Sequence, residues 1–280
     1  MIATKKQAVF KHLLLKNKLS IAVIGGGSWA TALTKILCEN KRNVGWYMRN
    51  EDNISFIKKH HHNPNYLSSA RLSVKRLNIS SDINKIVEDA DIIILAVPSA
   101  FLSEELNKIK ISIKDKIIFS AVKGVVPESM LIVGEHLNQK FGVPVEKIGV
   151  IAGPCHAEEV AMERLSYLTV ACVDSMMAKV VASMLKTKYI RTKTSNDIIG
   201  TEYAAMLKNI YAIAAGIAHA LNYGDNFQSV LMSNSIREMK RFIKDVYKMK
   251  RNINNSAYLG DLLVTGYSIF SRNRTFGSMI

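Results

Sequence analysis

The sequence predicts an α/β protein in which a sheet-containing part is followed by an all-helical part. Short apolar strands alternate with helices from residue 20 to residue 192, and three consecutive glycines join the first strand to the first helix. From about Asn196 onward the strand pattern ends and only helical patterns remain. We therefore expect a basic N-terminal extension over residues 1–19, a sheet domain over 20–195 and a helical domain over 196–280.

The first strand–turn–helix–strand unit is about thirty residues long, which is the length typical of a dinucleotide-binding unit. Residues 20–24 (SIAVI) predict a strand, and a helical pattern runs from the glycines to Glu39. Residues 43–48 predict the second strand.

The glycine turn indicates what this unit binds. Gly25 allows a tight turn, Gly27 allows the backbone to approach a pyrophosphate, and Ala30 is small enough for helix–strand packing. The amides at the start of the helix would then face the phosphates. The sequence thus predicts a Rossmann-like, dinucleotide-binding N-terminal domain.

The end of the second strand indicates which dinucleotide is preferred. An acidic residue at this point would bind the ribose of NAD, whereas this strand is followed by Arg49, which can bind a 2′-phosphate. We therefore expect NADPH to be preferred, with NADH possible because Glu51 and Asp52 follow. The alternative is that Arg49 is an ordinary surface residue.

The alternation continues through the rest of the first part. Further strands are predicted at residues 91–97, 116–121, 148–152, 167–173 and 189–192, with helices at 82–89 and 175–185. Such continuously apolar strands indicate a sheet that is covered on both faces. Ligands bind at the carboxyl ends of strands in these sheets, and Lys123 and Gly153 follow strand ends.

Lys208 is the only Lys, Arg, Asp or Glu between Tyr203 and Leu221. The apolar residues of this run surround the predicted helix, which indicates a buried core helix. Burial would lower the pKa of the lysine and make it a candidate general acid/base. The alternatives are that Lys208 extends to water at the helix end or pairs with a carboxylate.

Composition narrows the class of function. The 280-residue chain has a formal net charge of +15, but it lacks zinc-finger spacing and an RNA-binding aromatic signature, so we expect no nucleic-acid partner. We expect no membrane span, because Lys208 alone would cost about 2.5–3.5 kcal/mol in lipid.

Three cysteines without a CxxC pair favour a reducing, cytoplasmic location. We expect no metal site, because His60, His61 and His62 fit a polar loop better.

Several motifs together carry a resemblance to a known family. They are IGGGSWATAL (24–33), NPNYL (63–67), AVPS (96–99), KG (123–124), GPCHAEEVA (153–161), DIIGTEYAAMLKNIYAIAAGI (197–217), GDLLVT (260–265) and SRNRTFG (271–277). In this order the chain resembles bacterial NAD(P)H-dependent glycerol-3-phosphate dehydrogenase. The resemblance implies reduction of dihydroxyacetone phosphate to sn-glycerol 3-phosphate, a phospholipid precursor, by a cytoplasmic homodimer.

The resemblance also implies roles for individual residues. Lys208 would protonate the C2 oxygen as hydride arrives, and Asp261 would hold Lys208 or the substrate hydroxyls. Lys123 would face both cofactor and substrate. The other implied substrate-binding residues are Gly153, Cys155, Asn209, Thr265, Ser271, Arg272 and Asn273, and the implied cofactor-binding residues are Gly25, Gly27, Ser28, Trp29, Arg49, Ala157 and Arg272.

Some features depart from the family pattern. Cys155 stands where the family usually has Ser or Thr. The family continues for several helices beyond the position of Ile280, so we expect a C-terminally truncated helical domain. Two other functions stay open: a related hydride-transfer enzyme acting on another small phosphorylated substrate, and a non-catalytic NADPH-binding protein that results from truncation.

Overall fold

The computed structural model describes residues 19–280, so nearly all of the predicted extension at 1–19 lies outside the described residues. An eight-stranded sheet has the strand order β10-β9-β8-β5-β4-β1-β2-β3. Its strands are β1 (Ile21–Ile24), β2 (Val44–Tyr47), β3 (Leu77–Ser80), β4 (Ile92–Leu95), β5 (Ile117–Ser120), β8 (Ile148–Ala152), β9 (Ser166–Cys172) and β10 (Ile190–Ser195). β6 (Val125–Val126) and β7 (Leu131–Ile132) form a separate antiparallel pair.

Neighbouring strands of the large sheet run parallel, except that β9 is antiparallel to β8. Successive side chains of a strand point to opposite faces, so a fully apolar strand needs cover on both sides. Along β1, Ile21 and Val23 join one buried cluster, whereas Ala22 and Ile24 join another on the opposite face. The predicted two-sided burial is confirmed.

Helices cover both faces of the sheet. They are α1 (Ser28–Glu39), α2 (Glu51–His60), α3 (Ile83–Glu88), α4 (Leu102–Asn107), α5 (Val133–Phe141), α6 (Ala157–Ala161) and α7 (Ser175–Leu185). The side chain of Asp82 caps α3 and that of Asp174 caps α7. Both acceptors satisfy backbone N–H groups that a helix start leaves free.

The three histidines only partly match the predicted loop. His60 is the last residue of α2, and His61 adopts a left-handed conformation with φ of 65° that ends this helix. The rings of His60 and His62 lie against Phe56. Among residues 19–280, no three potential metal ligands cluster together.

After Ser195 the described chain forms only helices. They are α8 (Ile198–Ala220), α9 (Gly224–Val246), α10 (Asp261–Tyr267) and α11 (Arg272–Gly277), with a single π-helical turn at Ser256–Gly260. This change lies at the boundary predicted between residues 195 and 196, although independent folding of the two domains stays a prediction. No helix within residues 19–280 is long and apolar enough to span a bilayer.

The prediction that α8 is buried on all sides is wrong. Lys208 and Leu207 are buried, but Ile210 is 56% exposed. The sequence pattern is apolar around the whole helix, whereas the packed helices of the described chain cover only part of it.

Two glycines bring α8 and α11 into backbone contact. A Cβ atom on Gly216 would lie 2.0 Å from the carbonyl oxygen of Arg274, and one on Gly277 would lie 2.1 Å from that of Ile213. Only a residue without a side chain allows such an approach. The N-terminus of α11 is thereby fixed relative to the long helix that carries Lys208.

Candidate active site

Lys208 lies on the buried face of α8 and forms an ion pair with Asp261. The side chain of Asp197 caps α8 by accepting a hydrogen bond from the Gly200 amide at 3.0 Å. The helix then extends through a favourable Ala- and Leu-rich sequence. Lys208 is 3% exposed and Asp261 is 1% exposed, and Nζ of the lysine donates to Oδ1 of the aspartate.

Asp261 is the first residue of α10, directly after the π-helical turn. Its backbone carbonyl accepts a hydrogen bond from Oγ1 of Thr265 at 2.6 Å. Within the described chain, Oδ2 of Asp261 is buried and has no hydrogen-bond partner. A buried oxygen of this kind has capacity for another donor, such as a substrate hydroxyl.

The electrostatic environment suits proton transfer by Lys208. Burial lowers its pKa, the carboxylate of Asp261 opposes this, and the positive charge of Lys123 adds to it, so that the pKa falls to about 7. An amine with a pKa near neutrality can both donate and accept a proton at physiological pH.

The glycine turn at residues 25–27 lies across the candidate site from Lys208. Gly25 has φ of +129°, and a Cβ atom there would be 2.4 Å from the carbonyl oxygen of Ala96. By contrast, a Cβ atom on Gly27 would meet nothing within 4 Å. Gly27 precedes α1, and no side chain caps this helix. The amides at the start of α1 therefore face open space in which an anion could bind.

A cleft of about 450 Å³ connects the glycine turn to Lys208. Twelve residues predicted from the sequence line it. From the sheet-containing part these are Gly27, Ser28, Trp29, Lys123, Cys155 and Ala157. From the helical part these are Lys208, Asn209, Thr265, Ser271, Arg272 and Asn273. The structure thus brings together most of the predicted residues, whose positions span nearly the whole described sequence.

Four predicted residues do not line the cleft. Gly25 and Gly153 shape the backbone behind it; Gly153 has φ of +126°, and a Cβ atom there would be 2.7 Å from the carbonyl oxygen of Tyr167. Asp261 lies beneath Lys208. The side chain of Arg49 is 60% exposed, with Nε 3.5 Å from Oε1 of Glu105.

Arg272 spans the two sides of the cleft. It begins α11, which is capped by the buried hydroxyl of Ser271. Its Nη2 donates a hydrogen bond to Oγ of Ser28 at 2.8 Å. Lys123 also contributes positive charge here, since its Nζ lies 5.8 Å from the centre of the Trp29 ring. A guanidinium and an ammonium so placed can bind phosphate groups.

Sequence reasoning assigned no role to other residues of the site. Tyr66, His156 and Phe270 line the cleft. Asn63 is buried and donates to the carbonyl of Gly26 at 3.2 Å, which fixes the loop that carries Tyr66 against the glycine turn. Their motifs could have indicated these residues, because Asn63 and Tyr66 lie within NPNYL and His156 lies within GPCHAEEVA.

The cleft fits a nicotinamide dinucleotide. It combines an uncapped helix start, positive charges from Lys123 and Arg272, and a buried indole N–H of Trp29 that has no partner within residues 19–280. The helix start and the positive charges can bind the phosphates of such a cofactor, and the indole N–H can donate to one of its polar groups.

Comparisons with known proteins agree with this geometry. The N-terminal model of NAD-dependent glycerol-3-phosphate dehydrogenase matches residues 20–178, and the C-terminal model matches residues 197–280. An NAD(P)+-type glycerol-3-phosphate dehydrogenase from Macrococcus caseolyticus is 34% identical over 264 residues, which are 94% of this chain and 79% of that protein. A second such enzyme, from Bacillus licheniformis, is 34% identical, and the match covers 93% of this chain and 76% of that protein.

Among solved structures, the crystal structure of glycerol-3-phosphate dehydrogenase from Coxiella burnetii superposes with a TM-score of 0.84. It is 29% identical in sequence, and the match covers 94% of this chain and 80% of that one. The arrangement of a mostly parallel sheet followed by a helical domain is therefore the same in both.

Proposed function

The chain belongs to the NAD-dependent glycerol-3-phosphate dehydrogenase family, and we propose that its buried Lys208–Asp261 pair performs the proton transfer of the family's reaction. The protein is an oxidoreductase that acts on a CH–OH group with NAD(P), and it interconverts dihydroxyacetone phosphate and sn-glycerol 3-phosphate. The observation that carries the proposal is the buried lysine, which lines the same cleft as the glycine turn.

Lys208 acts as the general acid in the direction of reduction. When bound, the nicotinamide supplies hydride to the C2 carbon of the ketone. The ammonium form of Lys208 donates a proton to the C2 oxygen, which would otherwise carry a negative charge. In the reverse direction the neutral amine accepts that proton.

Asp261 orients the amine and compensates its charge. Oδ1 holds Nζ of Lys208, while Oδ2 has no partner in the described chain and can accept a bond from a substrate hydroxyl. Thr265 restrains the backbone of Asp261, and Asn209 donates to the carbonyl of Lys123 at 3.1 Å. These hydrogen bonds restrain the backbone at Asp261 and at Lys123 and so help to position their side chains.

Basic residues at the cleft bind the phosphorylated ligands. Arg272, with Asn273 and Ser271 beside it, is placed to bind the substrate phosphate, while Lys123 serves substrate and cofactor together. The turn of Gly153 and Cys155 supplies further substrate contacts. Burial raises the pKa of the Cys155 thiol to about 12, so it remains neutral and acts only as a weak hydrogen-bond donor.

The cofactor-binding residues are Gly25, Gly27, Ser28, Trp29, Ala157, Arg49, Lys123 and Arg272. The side chain of Arg49 is 60% exposed beside Glu105, and its guanidinium can meet a 2′-phosphate, which supports NADPH as the preferred cofactor over NADH.

The assembly and location of the protein are also proposals. Apolar side chains on α8 and α9 are exposed, with Ile210 at 56% and Val230 at 59%, which supports a homodimer. The free, buried thiols of Cys38, Cys155 and Cys172 support a reducing cytoplasm. There, the product would serve phospholipid synthesis. Light scattering of the purified protein tests the dimer.

Oxidation of NADPH in the presence of dihydroxyacetone phosphate tests the proposed chemistry. Lys208→Ala should reduce turnover by more than about a hundredfold, because general acid catalysis typically contributes that much. NADPH binding, followed by fluorescence, should persist in this variant. Lys147→Ala is the control, since Lys147 pairs with Asp115 at the surface. Equal turnover in both variants would refute the role of Lys208.

A further inference from the structure

His156 follows the turn at the end of β8 and lines the cleft beside Cys155 and Ala157. It precedes α6, but its side chain does not cap this helix. Its ring lies 6.3 Å from that of Phe270, centre to centre. The Nε2 atom is buried and finds no hydrogen-bond partner anywhere in residues 19–280. A buried polar atom without a partner costs folding free energy, and a bound ligand that hydrogen-bonds to this nitrogen would remove that cost.

The environment keeps the imidazole neutral. Burial lowers the pKa of His156, and the positive charges of Lys123 and Lys208 lower it further. In a neutral imidazole one nitrogen is an N–H donor and the other an acceptor, and the tautomer decides which role Nε2 takes. Either form of Nε2 can pair with a hydroxyl group, which both donates and accepts. A neutral imidazole suits a phosphate less well, because a phosphate needs donors only.

Most other polar groups near the reacting centre already have partners. Asn209 donates to the carbonyl of Lys123, and Thr265 donates to that of Asp261. Oγ of Ser271 accepts from the amide of Arg274. Trp29 has a free indole N–H, but it stands at the start of α1, on the cofactor side.

The substrate has three polar parts. Lys208 serves the C2 oxygen, and Arg272 with Asn273 serves the phosphate on C3. Oδ2 of Asp261 can accept the proton of the C1 hydroxyl, but the proposed function assigns no donor to the oxygen of that hydroxyl. We propose that His156 hydrogen-bonds to this C1 hydroxyl and makes the enzyme select hydroxymethyl ketone phosphates over methyl ketone phosphates.

This inference rests on the proposed function and adds the basis of substrate selection. A site built to bind a hydroxyl rejects an analogue without it, because the analogue leaves the buried partner unsatisfied. For one neutral hydrogen bond in a buried site, the discrimination should be on the order of 10- to 100-fold in kcat/KM.

The test compares kcat/KM for dihydroxyacetone phosphate with that for hydroxyacetone phosphate, in which a methyl group replaces the C1 hydroxymethyl group. The wild-type protein should prefer the former by at least about tenfold. His156→Phe keeps an aromatic ring but removes both nitrogens. It should bring the ratio close to one, chiefly by lowering kcat/KM for dihydroxyacetone phosphate. His156→Gln restores a donor and an acceptor and should give an intermediate ratio.

His136→Phe is the matched control, because His136 is another buried histidine with a lowered pKa that lies outside the cleft. Its ratio should equal that of the wild type. A ratio unchanged in His156→Phe, or an equal loss with both ketones, overturns the role of His156. If His156→Phe does not fold, His156→Leu replaces it in the same comparison. Absence of wild-type turnover on either ketone would instead refute the proposed function.

Discussion

Arg272 and Ser28 lie 244 positions apart in the sequence, yet Nη2 of the arginine donates a hydrogen bond to Oγ of the serine at 2.8 Å. This bond joins the start of α11 to the start of α1. The group proposed to bind the substrate phosphate is therefore attached to the turn proposed to bind the dinucleotide.

Arg272→Lys should raise the KM for dihydroxyacetone phosphate by about tenfold or more, because an ammonium cannot form the paired hydrogen bonds of a guanidinium. Steady-state kinetics at saturating NADPH measures the change. Arg71→Lys, at an exposed arginine outside the cleft, should leave the KM unaltered. A KM equal to that of the wild type in Arg272→Lys would remove Arg272 from the phosphate site.

The rate of ketone reduction should fall as the pH rises through about 7, the pKa to which burial lowers Lys208. Reduction requires the protonated amine, whereas oxidation of glycerol 3-phosphate requires the neutral amine and should rise over the same interval. Asp261→Asn removes the charge that raises this pKa, so the reduction profile should move to lower pH. Asp115→Asn, at the exposed Asp115–Lys147 pair, should not move it. A flat profile between pH 6 and 9 would count against Lys208 as the acid.

The two glycines of the turn should respond differently to substitution by alanine. Gly25→Ala places a Cβ atom 2.4 Å from the Ala96 carbonyl and should lower the free energy of unfolding, as measured in urea. Gly27→Ala meets no protein atom, so stability should persist while NADPH affinity drops. Fluorescence titration measures that affinity. Tight NADPH binding by Gly27→Ala would place the pyrophosphate elsewhere.

Arg251→Met should destabilise the protein by about 3–5 kcal/mol, because it removes the cation that pairs with a buried carboxylate. Nε of Arg251 lies 2.7 Å from Oδ2 of Asp197, and both side chains are nearly inaccessible to water. Lys147→Met, at an exposed pair, should change stability by about 1 kcal/mol or less. Urea denaturation of both variants gives the comparison. Equal stabilities would show that the Asp197–Arg251 pair is dispensable.

Pattern and motif predicted most of the sheet and of the site. The strand at Ile148–Ala152 and the helix at Ser175–Leu185 agree with the structure to the residue, because apolar runs between turn residues are unambiguous. The strand Leu77–Ser80 was not predicted, because it is only partly buried and has polar residues on its exposed side. Arg251 belongs to a basic stretch that looks solvated in the sequence, and only the tertiary structure brings Asp197 to it.

For the side chains of the cleft, too, the sequence indicated some features and could not indicate others. The alternation of strands and helices indicated that Lys123 and Gly153 lie at one edge of the sheet, because parallel strands end together. No local pattern could indicate that Nε2 of His156 lacks a partner, since that depends on every neighbour in space. Unpaired buried atoms are visible only after folding.

The glycine contacts between α8 and α11 have a consequence for the evolution of substrate length. Lys208 lies on α8 and Arg272 begins α11, and these helices touch through Gly216 and Gly277, so their backbone contact restricts the spacing between the amine and the guanidinium. Any side chain larger than hydrogen at these two positions would wedge the helices apart. Descendants that accept longer sugar phosphates should therefore carry changes at Gly216 or Gly277, far from the reacting atoms themselves.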